Sequence, residues 1–226
     1  MTSAQHLLAD EVTVGYGRQA VLDGVTLRIG RGETVGLRGP SGCGKSTLVR
    51  VLALLHRPDR GRVSIDGTAV DAVRYAAPVA LRTRVAALFQ SPRAAADPRL
   101  SLADLIAEPL RANRTPEATV RERVAELADL VGLTTDLRSR RPHAVSDGQL
   151  QRACLARALA HRPDYLLCDE ATAMLDASTQ AHVAGVIRDY QRTQRAGVLV
   201  VSHDQTLLER WSDRTVDLAG AARTRA

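Results

Sequence analysis

Lysine is almost missing from this sequence: one residue of 226, Lys45, against thirty arginines. Aromatic side chains are nearly as scarce, at one Phe, one Trp and four Tyr, which leaves little with which to stack nucleic-acid bases. The net charge of +6 comes from arginines spread along the chain with no block of like charge. It reads as composition, with mild attraction to anionic lipid, and no direct nucleic-acid partner is expected. The three cysteines, Cys43, Cys154 and Cys168, lie far apart with no metal-ligand spacing, as suits a reducing compartment. No apolar run approaches the roughly 18–20 residues that span a bilayer. The start, Met1 to His6, lacks the basic and apolar regions of a signal peptide. A cytosolic chain is expected, forming one large domain or one domain with an inserted subdomain.

What is present is organised around Gly39-Pro40-Ser41-Gly42-Cys43-Gly44-Lys45-Ser46-Thr47, a G-x-x-x-x-G-K-[ST] loop. The apolar run Thr34–Leu37 predicts a strand before it. Leu48, Val49, Val51, Leu52 and Leu55 predict a helix after it. In that order, backbone N–H groups curl around phosphates, glycines allow close approach, and the helix dipole faces the same anion. Lys45 is placed to meet the β- and γ-phosphates of a nucleotide, and the Ser46 hydroxyl to ligate Mg²⁺. Cys43, beside a helix N-terminus, is either a thiol with enhanced reactivity or simply a tolerated small residue.

Alternation at Val12, Val14 and Tyr16 and at Val25, Leu27 and Ile29 predicts half-exposed strands, with Asp23-Gly24 and Gly30–Gly32 as turns. Tyr16 is open to two readings, stacking on adenine or packing at a strand end. Val85–Gln90 reads as a buried strand ending in a polar residue. From Ser91 onward, prolines 92, 98, 109, 116 and 142 punctuate short helices, as expected of a helical insertion into a parallel-sheet core. Helices are predicted over Leu102–Leu110, Val120–Val131, Gly148–Ala160 and about Ser178–Gln194, and strands over Tyr165–Cys168 and Val198–Ser202. The tail after Asp217 is expected to fray. Alternating strands and helices indicate an α/β fold in three layers.

The strand ending in Asp169-Glu170 supplies two carboxylates where a phosphate loop needs them. Asp169 can hold Mg²⁺, and Glu170 can orient and polarise an attacking water. His203 follows the next strand, where a neutral imidazole could hydrogen-bond the γ-phosphate or the carboxylate. Ligands of parallel sheets bind at strand C-termini, so His203, Asp169 and the loop should converge.

Tyr16, the loop at Gly39–Thr47, Gln90, Val145-Ser146-Asp147-Gly148-Gln149, Asp169-Glu170, Leu175-Asp176 and His203 occur in the order of an ABC-type ATPase, and the chain resembles that family from about Leu7 to Asp217. The resemblance implies a P-loop NTPase fold of ABC type: a mainly parallel core sheet, an N-terminal antiparallel β subdomain and an inserted α-helical subdomain. It places the core at about 1–90 and 161–226 and the helical part at about 91–160. It assigns Tyr16 to adenine, Gln90 to the Mg²⁺ ion and the attacking water, Glu170 to catalysis and His203 to the γ-phosphate. Asp176 would touch the opposite subunit. Ser146, Gly148 and Gln149 would act on the ATP of a second subunit in a head-to-tail dimer.

The family usually reads Leu-Ser-Gly-Gly-Gln at its signature. Here Val145 and Asp147 differ. An aspartate beside a γ-phosphate repels it unless turned away, and its plainer role is to cap the following helix. Phe89-Gln90-Ser91-Pro92, Asp97-Pro98-Arg99 and Ala107–Leu110 resemble the ATPases of peptide and nickel importers. These imply membrane permease subunits, a second ABC ATPase subunit, alike or unlike, and an extracytoplasmic solute-binding protein. The chain itself would sit peripherally on the inner face of the cell membrane. The alternative is a soluble ABC ATPase without a transport role, such as a phosphonate-lyase accessory ATPase.

Overall fold

The computed structural model describes residues 5–17, 19–171 and 175–221. Its strands are β1 (His6–Tyr16), β2 (Gln19–Gly30), β3 (Thr34–Arg38), β4 (Arg60–Ile65), β5 (Thr68–Val70), β6 (Val85–Leu88), β7 (Tyr165–Asp169), β8 (Gly197–Val201) and β9 (Arg214–Asp217). The helices are α1 (Lys45–Leu52), α2 (Val79–Arg82), α3 (Pro92–Ala95), α4 (Leu102–Ala112), α5 (Glu117–Leu130), α6 (Thr135–Arg138), α7 (Asp147–Ala158), α8 (Ala177–Gln194), α9 (Gln205–Trp211) and α10 (Leu218–Ala221). Among the described residues, no helix is long and apolar enough to cross a membrane. The chain forms two compact units: Met1–Ala87, Asp164–Glu170 and Gln191–Ala226, and then Leu88–Pro163 with Ala171–Tyr190.

The first unit is built on two sheets. One is antiparallel, in the order β2-β1-β4-β5. Asp23-Gly24, expected as a turn, lies inside β2. Val12 faces Val25 and Val14 faces Leu22, so two residues of β2 stand opposite Thr13 alone. This is a β-bulge, with Gly24 at φ 61° and its N–H donating to Thr13 Oγ1 at 3.1 Å. A turn and a bulge ask for the same left-handed glycine, so the dipeptide does not distinguish them.

The other sheet has the order β6-β7-β8-β3-β9, and its β7–β8, β8–β3 and β3–β9 pairs are parallel. β7 and β8 are buried at every residue, as a strand covered on both faces must be. α1 buries Leu48, Val49, Val51 and Leu52 completely, each contributing about 1.5–3 kcal/mol of transfer free energy. It ends before Leu55, which is 38% exposed. Leu54 turns left-handed at φ 59° and takes the buried position instead. The tail after Asp217 does not fray at once. Leu218, 3% exposed, opens α10, and Asp217 Oδ1 accepts the Ala219 N–H; residues 222–226 lie outside the described residues.

Charged groups tie the two sheets together within this unit. Tyr165 donates its hydroxyl to Asp66 Oδ1 at 2.5 Å. Arg84 bridges Asp66 and Asp164, and Arg31 reaches Asp164 at 2.6 Å.

The second unit is helical. α4 packs on α5 and α7 through Leu102, Leu105, Ile106 and Leu110, and through Leu127, Leu150 and Leu155. Pro109 does not end α4, which runs on to Ala112. The burial of Leu105, Ile106 and Leu110 around it offsets the missing N–H.

Candidate active site

Three strand tips of the first unit define the site. In the parallel register Leu37 pairs with Val201 and Val201 with Asp169, so β3, β8 and β7 end abreast. Each tip continues into residues with chemistry: Gly39–Thr47 after β3, Glu170 after β7, and Ser202-His203 after β8.

The loop after β3 delivers α1, which opens at Lys45. Gly44 holds φ 101°, and a Cβ there would stand 2.9 Å from the Val21 carbonyl oxygen, so only glycine fits. Lys45 is 6% exposed and donates from Nζ to Gly39 O at 2.8 Å and Pro40 O at 3.0 Å. The chain's single lysine is thus held inside the loop. Cys43 is half-buried there, its N–H donating to Pro40 O.

Asp169 closes β7 and is 6% exposed. Burial raises its pKa, against the opposing effect of a hydrogen bond from Ser46. Glu170 pushes the same way as burial, while Arg50 and Lys45 pull back, and the outcome is a raised value. The Ser46 hydroxyl thus faces the carboxylate at the tip of β7. A hydroxyl and a carboxylate are the hard oxygen ligands that suit Mg²⁺, which takes its other ligands from phosphates and water. Among the described residues, no group of three His, Cys, Asp or Glu side chains gathers as a metal site of another kind.

Glu170 leaves the strand in a left-handed conformation, φ 50°, with its N–H donating to Val201 O at 3.1 Å. Its Oε1 lies 2.5 Å from His203 Nε2. Asp204 caps α9 by accepting the Leu207 N–H, which fixes the chain just after His203. Tyr16, 54% exposed at the end of β1, has its ring centroid 5.8 Å from that of His56. Sequence reading assigned His56 nothing, and no local pattern marks it.

In the second unit, Gln90 is exposed, two residues beyond the end of β6. Gln151, fully buried in α7, donates from Nε2 to Phe89 O at 3.3 Å and Ala171 O at 2.7 Å. It therefore pins the backbone just before Gln90 and just after Glu170. Sequence reading missed it, since a glutamine inside a helix carries no local sign of burial. Ser146 is the N-cap of α7 in a capping box: its Oγ accepts the Gln149 N–H, and Gln149 Oε1 accepts the Ser146 N–H. Asp147 is therefore not the cap expected of it; it is the first helical residue, and its Oδ1 pairs with Arg93 Nε at 2.7 Å. Gly148 passes Thr179 so closely that a Cβ would meet its Cγ2 at 3.0 Å. Thr179 in turn is bound through N and Oγ1 to Asp176, whose carboxylate also takes the Ser178 hydroxyl. These bonds, that of Ser178 first, hold its pKa well below the usual range. The signature stretch and Asp176 are thus brought together.

The chain matches the family model described as "ABC transporter" over residues 22–173. It is 38% identical over 197 residues to the oligopeptide transport ATP-binding protein OppF of Escherichia coli strain K12, covering 86% of this chain and 59% of OppF. It is 40% identical over 198 residues to the nickel import ATP-binding protein NikE of Brucella suis biovar 1, covering 87% of this chain and 74% of NikE. The chain thus spans about three fifths of the length of OppF. Among solved structures, the ATP-binding cassette MJ0796, a dimer in a post-hydrolysis state bound to ADP and Pi, is similar at a TM-score of 0.81 and 27% identity, over 93% of each chain. Strand-tip geometry, motif order and these likenesses agree: the chain belongs to the ABC transporter family, as one of its ATP-binding domains.

Proposed function

We propose that the chain is the ATP-binding and hydrolysing subunit of an importer of peptides, nickel or related small solutes. In this reading it closes on a second ABC ATPase subunit, alike or unlike, with ATP held between them. It drives a separate membrane permease on the inner face of the cell membrane, fed by an extracytoplasmic solute-binding protein. The register that ends β3, β8 and β7 abreast carries the reading, because it sets the phosphate loop with its buried Lys45 beside the carboxylates of Asp169 and Glu170 at one sheet edge. The importer names of OppF and NikE, and the dimeric ADP-bound state of MJ0796, support the transport and pairing parts.

Within that reading Lys45 and the loop N–H groups neutralise phosphate charge, and Ser46 and Asp169 would hold Mg²⁺. Held there, the ion would supply Lewis-acid stabilisation of the charge that develops on the phosphates. Glu170 accepts the proton of the attacking water, and His203 orients that carboxylate. Gln90, exposed at the start of the second unit, is assigned to the metal and the water by family resemblance. Tyr16 offers an exposed ring face to adenine.

The test is recovery from membranes. The tagged chain, expressed with its neighbouring genes and extracted in mild detergent, should carry an integral membrane protein with it and hydrolyse ATP in that complex. Recovery of an active ATPase with no membrane protein, with or without ATP, would overturn the transport role.

A further inference from the structure

Asp147 puts a negative charge into the stretch that, by the family resemblance on which the proposed function draws, would meet the ATP of a second subunit. An unpaired carboxylate there would repel the triphosphate. The carboxylate is instead turned to Arg93, 2.7 Å away. The same guanidinium donates from Nη1 to Pro142 O at 3.0 Å and from Nη2 to Val145 O at 3.2 Å. All three of its nitrogens are therefore committed to residues 142–147, which lead into α7.

Arg93 is itself held by contacts that do not involve its side chain. Pro92 is buried, and Arg157 Nη1 of α7 donates to Ala95 O at 2.8 Å at the far end of α3. The Arg93 and Asp147 side chains are 49% and 56% exposed. A pair so exposed adds little to fold stability. Its effect belongs to association, where closure removes water from the pair just as a polyanion arrives beside it.

We propose that Arg93 is a positioning residue for the ATP-held dimer. It keeps the Asp147 carboxylate turned aside and cancels its charge, so that Ser146, Gly148 and the N-terminus of α7 can receive a phosphate where the family usually has an uncharged residue. The inference rests on the sandwich in the proposed function and adds the side chain on which this chain's own signature depends.

The test is the apparent dissociation constant of the ATP-held dimer, by analytical ultracentrifugation. The four forms are Glu170→Gln alone and Glu170→Gln combined with Arg93→Gln, with Asp147→Gly, or with both. Arg93→Gln should weaken association by roughly tenfold or more, since it leaves an unpaired charge at the interface. Adding Asp147→Gly should restore it. That rescue separates charge cancellation from mere anchoring, because deleting Asp147 does not rebuild the bonds to Pro142 and Val145. Association unmoved by Arg93→Gln, or weakened and not rescued by Asp147→Gly, would overturn the inference alone. No ATP-held dimer in the Glu170→Gln form would overturn pairing of two copies, and the inference with it.

Discussion

His203 Nε2 and Glu170 Oε1 meet at 2.5 Å, from the ends of two neighbouring parallel strands. The backbone of Glu170 is left-handed, so its carboxylate is aimed by the turn after β7 and by His203 together. His203→Ala should lower kcat for ATP by about 10²-fold, part of the roughly 10²–10⁴-fold that a positioned general base supplies, because Glu170 remains but loses the group that orients it, with a much smaller change in KM. Steady-state turnover checks this. A kcat equal to that of the unchanged chain would remove His203 from the mechanism.

Asp66 shows the opposite use of a carboxylate, in structure. Burial raises its pKa, but the hydrogen bonds from Tyr165 and Arg84 and the charges of Arg84 and Arg31 outweigh it, and the result is a lowered value. A depressed folded-state pKa stabilises above the unfolded carboxylate value, and that stability is lost as pH falls through the folded value. Asp66→Asn should therefore cost about 1–3 kcal/mol at neutral pH, the cost of disrupting a charged hydrogen-bond network. The gap should narrow only as pH falls below about 4. Urea unfolding across pH measures it.

Asp169 reverses the sign. Its pKa is raised, so the folded state binds the proton more tightly and stability falls as pH rises through the folded value. Asp169→Asn, which keeps an acceptor for Ser46, should raise the thermal midpoint at neutral pH, with the gain shrinking on acidification. It should also abolish the stabilisation by Mg²⁺-ATP, about 2.7 kcal/mol at a ligand concentration one hundred times Kd. Thermal unfolding with and without Mg²⁺-ATP reads both effects.

The cysteines should separate by position. Burial pushes Cys168 up to about 12 and raises Cys154 as well, and both are 2% exposed. Cys43 is partly exposed in the loop. A thiol alkylating reagent should label one site on the folded chain and three after unfolding, and ATP should slow the first. Mass spectrometry showing Cys154 or Cys168 modified in the folded chain would contradict this.

The sheet edge was legible because its requirements are local. Apolar runs marked β3, β7 and β8, and parallel pairing brings their tips together without long-range information. The same logic failed where one residue type serves two ends. Asp23-Gly24 reads equally as a turn or a bulge, and Leu55 fits the helical spacing of α1 although the helix stops first. β9 and α9 left little pattern: β9 is a short strand with mainly exposed side chains, and α9 buries only Leu208. Arg93 was invisible for a different reason. Its partners, Pro142, Val145 and Asp147, lie far along the chain, and nothing near Arg93 distinguishes it from the other arginines.

ATP turnover by the purified chain, beside Glu170→Gln and with the mass of each measured in ATP, bears on all of this at once. Turnover in the unchanged chain, its loss in Glu170→Gln, and a doubled mass for that variant only while ATP is present are the expected result. A Glu170→Gln chain that turns over ATP as fast as the unchanged one would show that the carboxylate beside His203 is not the catalytic base, and would contradict the mechanism built on it.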